Sequence, residues 1–182
     1  MGHDRQTAFT HRPAAAADVA VIRPLMDASI AELLKPYLSA EGVAASFDVM
    51  GLDTQLIADG TYHVVEADGV VVGCGGWSRR STLFGGDHTA GRDAALLDPA
   101  TEPARVRAMY THPAWTRRGI GRLILDLCEA EAAGEGFRSC ELAATLAGEP
   151  LYRACGYVEV ERFSADTSTG VSVPLIRMRK AI

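Results

Sequence analysis

The run MYTHPAWTRRGIGRLILDLCEAEAAG, Met109–Gly134, decides the fold. It leaves a β-rich segment, crosses a loop holding Arg117, Arg118, Gly119, Gly121 and Arg122, and enters a strongly amphipathic stretch. Ile120, Leu123, Ile124, Leu127 and Cys128 recur at steps that predict a helix over 119–133 with one apolar face. Gly134 and Gly136 stand where such a helix would end. Helix starts favour carboxylates, because the macrodipole leaves roughly half a positive charge there. Three arginines at that end therefore cost stability unless an anion sits among them. Unpaired first-turn N–H groups would meet the anion, and Gly119 and Gly121 remove side chains where the backbone turns and the ligand approaches. The pattern suits a diphosphate. Its alternative is a solvated basic turn paired with carboxylates such as Asp126.

Working outward, a strand is expected at 7–12, followed by a helix with Asp18 as its N-cap and Val19, Ile22, Met26, Ile30 and Leu33 on its apolar face. Pro24 either kinks that helix or starts it, and Pro36 ends it. A second helical segment falls at about 40–50. Two β-rich runs, 61–67 and 70–78, flank Asp68-Gly69, the dipeptide of a type I′ hairpin. The Gly-, Asp- and Pro-rich connection that follows, 79–103, is long enough to suggest a functional loop. Strands at 105–111, 140–145, 157–163 and 173–179 and a short helix at 149–155 complete the chain. Interleaved helices and strands predict an α/β sheet with helices on its faces.

Composition narrows the function classes. The 182 residues, 48% hydrophobic and 23% charged, fit one globular domain spanning 1–182. A net charge of −5 argues against non-specific nucleic-acid binding, so any anion site must be local. No run reaches membrane-span length. The opening MGHDRQTAFT lacks the apolar core of a secretory signal, and Gln6 breaks the myristoylation pattern, so the cytoplasm is the expected location. Cys74, Cys128, Cys140 and Cys155 lack ligand spacing, which argues against a metal site or a disulfide framework. No Gly-Lys-Ser/Thr follows the loop glycines, which excludes a P-loop. Leu123 and Ile124 follow Gly121 where a dinucleotide fingerprint needs a third glycine.

MYTHPAWTRRGIGRLIL resembles the acyl-CoA-binding motif of the GNAT (GCN5-related) N-acetyltransferase superfamily, Gln/Arg-x-x-Gly-x-Gly/Ala after a strand. ELAAT and EPLYRACGYVEVERF resemble the segments that follow it in that family, so the likeness covers about 105–163. Thr116 departs from the motif's first position, and Arg117 and Arg118 stand ready to supply the missing charge. The resemblance implies a twisted, mostly antiparallel sheet with helices on both faces and a V-shaped splay between strands 105–111 and 139–144. It implies acetyl-CoA as cosubstrate, with pantetheine along Met109, Tyr110 and Thr111 and pyrophosphate on Arg117, Arg118, Gly119, Ile120, Gly121 and Arg122. The acceptor would be the amine of a small molecule or protein, with no nucleic-acid or membrane partner; a homodimer is compatible.

Acetyl transfer needs a neutral amine, a stabilised oxyanion and a proton for the leaving thiolate. Tyr152 matches the family's usual general acid; its alternative is a core aromatic, like Tyr157. For a base, the strand at 105–111 offers Arg105 and Arg107 where many relatives carry a Glu. Glu141 is the candidate taken, beside Asp87, His88, Glu66 and Glu32, and water could serve instead. His112, before Pro113, reads as a turn residue. Arg79, Arg80, Arg105 and Arg107 either face an anionic acceptor or hold down the 81–103 loop through its acids, the latter being preferred. Two functions follow: an N-acetyltransferase, or a non-catalytic acyl-CoA sensor.

Overall fold

The computed structural model describes residues 8–182. Residues 1–7, which hold Thr7 of the expected first strand and most of the run read for targeting signals, lie outside the described residues. In chain order the elements are β1 (Phe9–Pro13), α1 (Val19–Leu33), α2 (Ala40–Val49), α3 (Thr54–Ala58), β2 (Tyr62–Ala67), β3 (Val70–Ser78) and β4 (Ala104–Thr111). There follow α4 (Ile120–Gly134), β5 (Ser139–Ala144), α5 (Glu149–Ala154), β6 (Val158–Ala165) and β7 (Val173–Ala181). The strands form one sheet in the order β1-β2-β3-β4-β5-β7-β6. Every neighbouring pair is antiparallel except β4 and β5. The mixed, mostly antiparallel sheet expected from the sequence is the one found.

Alternation along the strands gives each sheet face its own core. Val65, Val72 and Val106 pack with Ile124, Leu125 and Cys128 of α4, while Val64, Cys74 and Tyr110 pack with Ile22, Met26 and Ile30 of α1. The β2–β3 hairpin turns at Asp68 and Gly69, both at positive φ, as a type I′ turn requires. On β3, a Cβ at Gly75 would come within 2.8 Å of Ile124, and one at Gly73 would overlap Ile120. These two glycines let α4 lie close against the sheet.

Several details depart from the sequence reading. The buried stripe of α4 is Ile120, Ile124, Leu125, Cys128 and Ala132; Leu123 and Leu127 are half-buried at its margin. Gly134 is inside the helix, and Gly136, at φ 93°, marks the reversal beyond it. Asp18 does not cap α1 with its side chain. Its carboxylate accepts from Ala15 N at 2.7 Å, opening a 3₁₀ turn over 16–18, and pairs with Arg12. Pro24 lies within α1, which runs through it despite the missing bond to the carbonyl four residues back. Among the described residues α3 and a 3₁₀ turn at Pro113–Trp115 were not expected.

The feature that makes the site is where the sheet comes apart. β4 and β5 pair only at Ala104↔Cys140 and Arg105↔Glu141. Beyond those pairs the two strands separate, and the remainder of β4 has a free edge. On its other side β4 carries a bulge: Cys74 faces Tyr110 but Gly76 faces Arg107. Ala108 absorbs the extra residue at φ 51°, and its carbonyl accepts from Tyr62 Oη at 2.7 Å. A bulge re-aims backbone groups, and this one does so beside the splay.

Candidate active site

The splay opens into a cleft of about 580 Å³. One end is walled by Thr116–Arg117 and the start of α4, and the middle by Val106–Thr111 of β4, Leu142 and α5. The other end is walled by the C-terminal turn of α1, Tyr37, Val49–Gly51 and the loop segment Leu83–Gly85.

At the α4 end, Gly119 is the N-cap at φ 89°, with no side chain to accept from the first-turn N–H groups. Arg117 before it also has positive φ, at 64°. No acidic residue stands in the first turn of α4. Among the described residues Arg117, Arg118 and Arg122 meet no carboxylate, so the pairing with Asp126 does not occur. Arg122 reaches only the Ala154 carbonyl, at 3.4 Å. These are the makings of an anion cradle. Its members are not equivalent. Arg117, Gly119, Ile120, Gly121 and Arg122 line the cleft, whereas Arg118 stacks on Trp115 at 4.7 Å. Ile120 offers only backbone, since its side chain is buried in the core. Gly121 has a packing reason as well: a Cβ there would come within 2.5 Å of Leu151 on α5. Gly119, with open space around it, is glycine for its conformation.

Along β4, His112 N donates to Val72 O across from it. Antiparallel ladders alternate, so Tyr110 turns its backbone towards β3 and Met109 and Thr111 turn theirs towards the splay. Tyr110 also spends its hydroxyl, accepting from Gly51 N at 3.0 Å. Of the three residues expected to receive an extended ligand, two present free backbone edges. His112 is the turn residue anticipated, its Nδ1 accepting from Ala114 N.

Tyr152 sits on the first turns of α5, its ring edge-on to Tyr157 with centroids 6.0 Å apart. Gly148 leaves room for that ring, because a Cβ there would lie 2.9 Å from Tyr152. The hydroxyl reaches into the cleft, and its contact is Met109 Sδ at 3.8 Å. A thioether is a weak acceptor, so the phenolic proton is free for a stronger one. Burial pushes the Tyr152 pKa above the ordinary phenol value, so the group is protonated across the neutral range.

Glu141 does not join this constellation. It is 2% exposed, does not line the cleft, and has both oxygens engaged by arginine. Arg105 Nη1 donates to Oε1 at 2.6 Å and Arg179 Nε to Oε2 at 2.9 Å. It is a structural carboxylate holding β4, β5 and β7 together where the first two still pair. The other candidates are also occupied. Asp87 accepts from Thr54 N and Oγ1, His88 Nε2 contacts Phe47 O at 2.7 Å, Glu66 pairs with Arg12, and Glu32 pairs with Lys35. Among the described residues lining the cleft there is no Asp, Glu or His.

The remaining arginines belong to the scaffold, though their partners differ from those expected. Arg107, 3% exposed, donates to Asp53 Oδ2 at 3.0 Å and to the carbonyls of Thr82 and Gly85. Arg80 pairs with Asp59, and Arg79 with Glu135. The acids lie outside the 81–103 loop, while the loop supplies carbonyls. Asp53, absent from the sequence-based site, is the hub: it caps α3 through Gln55 N and binds both Arg92 and Arg107. Its signal was legible as Asp-Thr before the short apolar run Leu56-Ile57 and Gly60, a helix start and stop.

A family model for an acetyltransferase (GNAT) domain matches residues 58–159. Among solved structures, a GCN5-related N-acetyltransferase from Rhodopseudomonas palustris superposes with a TM-score of 0.72 at 22% identity, covering 100% of each chain. The PaiA N-acetyltransferase of Thermoplasma acidophilum, solved in complex with coenzyme A, gives 0.64 at 13% identity over 96% of this chain and 99% of that one. YncA of Salmonella typhimurium, solved with its cofactor acetyl-CoA, gives 0.62 at 19% over 96% and 94%. At these identities the likeness is one of fold. No curated protein matches the sequence.

Proposed function

The chain belongs to the GNAT acetyltransferase family, and from that premise we propose that it moves acetyl from acetyl-CoA to a primary amine by direct attack, with Tyr152 as general acid. The observation that carries the reading is that one cleft is lined both by the anion cradle of α4 and by a protonated phenol. The pyrophosphate would take the first-turn N–H groups of α4 with Arg117 and Arg122 beside them. The pantetheine arm would lie along the free edge of β4, pairing with Met109 and Thr111. That path leads to the hydroxyl of Tyr152. The amine lone pair attacks the thioester carbonyl, the C–N bond forms and the C–S bond breaks. Tyr152 protonates the departing sulfur and regains a proton from the product nitrogen through water.

The absence of Asp, Glu and His from the described cleft lining also favours a second reading, a non-catalytic acyl-CoA sensor. Thiol release from acetyl-CoA over a library of amines separates the two. Within the first reading, Tyr152→Phe keeps the ring against Tyr157 and removes only the hydroxyl. It should lower kcat by roughly 10²–10⁴ with acetyl-CoA affinity unchanged. A folded Phe variant with normal kcat would leave Tyr152 a packing residue.

A further inference from the structure

The far end of the cleft has a chemistry of its own. Its walls are mostly aliphatic and aromatic, among them Leu33, Leu34, Tyr37, Met50, Phe84 and Leu175, with Ser29 and Arg107 adding polar groups. The titratable or charged groups facing the whole cleft are Tyr37 after α1, Arg107 and Tyr110 on β4, Arg117 in the loop, Arg122 on α4 and Tyr152 on α5. None of the described lining residues is a carboxylate, and burial pushes the Tyr110 and Tyr152 pKa values up. Arg107, the one cation among the described residues lining the far end, has its charge met by Asp53 and its N–H groups by loop carbonyls. An acceptor carboxylate would find no free partner there. An ammonium in the cleft itself would find no anion among the described lining residues, since Asp27 and Asp87 wall the adjoining recess instead.

The loop that walls the far end is anchored. Loop 81–93 is tied to β4 through Arg107, to Asp53 through Arg92, and to the end of α2 through His88 and Thr89. Between the loop and α2 a second recess, walled by Phe47, Asp87 and His88 with Asp27 of α1, adjoins the cleft at Met50 and Gly51.

Resting on the proposed acetyl transfer, we infer that the acceptor is a primary amine on an apolar body, and that its nitrogen reaches Tyr152 as the free base. Burying an ammonium without an anion costs several kcal/mol, so the charged form is excluded from the cleft. The nitrogen must lose its extra proton to bulk water before entry. From that point the transfer is balanced as above: the free amine gives amide and thiol, and Tyr152 returns to its starting state.

The test uses the intact protein and four acceptors: an arylamine, phenylethylamine, spermidine and glutamate, each followed by thiol release across pH. The aryl-bearing amines should exceed spermidine and glutamate at least tenfold in kcat/KM. With phenylethylamine, whose ammonium titrates near pH 10 as a lysine amine does, kcat/KM should rise roughly tenfold per pH unit through the neutral range. With the arylamine, already uncharged, the profile should be flat. Turnover confined to spermidine or glutamate would overturn the inference and leave acetyl transfer standing. So would a phenylethylamine profile that levels off near neutrality, which would reveal a base on the protein. No turnover with any amine would overturn both.

Discussion

Two sets of arginines flank the same strand, β4, and they have opposite fates. Arg79, Arg80, Arg105 and Arg107 each find a carboxylate, on Glu135, Asp59, Glu141 and Asp53 respectively. Arg117, Arg118 and Arg122 find none among the described residues, although they stand at a helix end that is already positive. Charge matched inside the fold is scaffold, and charge left unmatched at a helix start favours an anion from outside. On the proposed function, the difference separates structural arginines from ligand-binding ones in a chain where residue type alone does not.

The strongest way to break the comparison is at Arg107. Replacing it with Met strips one guanidinium from buried Asp53 and leaves the Thr82 and Gly85 carbonyls without donors. Chemical denaturation should show a loss of about 3–5 kcal/mol, the usual result of uncovering one member of a buried pair. A loss under about 1 kcal/mol would move Arg107 into the unmatched set.

The complementary change is the double variant Arg117→Gln with Arg122→Gln. Stability should stay within about 0.5 kcal/mol, as for surface positions generally. Acetyl-CoA affinity should fall roughly tenfold at low salt, or about 1.4 kcal/mol, with the deficit fading as salt rises. Arg118→Gln sharpens the picture because its guanidinium lies over Trp115 rather than in the cleft. Its effect on affinity should be the smallest of the three. Equal losses from all three single variants would mean that a diffuse field acts there, rather than a defined cradle.

What could be read from the sequence follows the same division. The β4–loop–α4 unit was legible because each of its requirements is local: strand, two glycines, apolar steps of three and four. The β2–β3 hairpin was legible from Asp68-Gly69 for the same reason. The bulge was not, since Ala108 adopts positive φ without a glycine to announce it. Glu141 looked like a base because nothing in sequence brings Arg179, on a strand paired out of chain order, onto its carboxylate. Asp87 and His88 looked available because their partners, Thr54 and Phe47, lie some distance back in the chain. Carboxylates on loops are easily overvalued when the long-range cations and N–H groups that claim them are out of view. Gly121 was given a single role, whereas its contact with Leu151 shows that α4–α5 packing also needs it small.

On the proposed function, the unmatched helix end at Gly119–Arg122 binds the pyrophosphate of acetyl-CoA. Calorimetric titration of the intact protein with acetyl-CoA and with acetylpantetheine, which keeps the arm and thioester but lacks the diphosphate, tests it most directly. Acetyl-CoA should bind at least about 100-fold more tightly at low ionic strength, and added salt should narrow the gap by screening the exposed arginines. Equal affinity for the two thioesters across the salt series would contradict it.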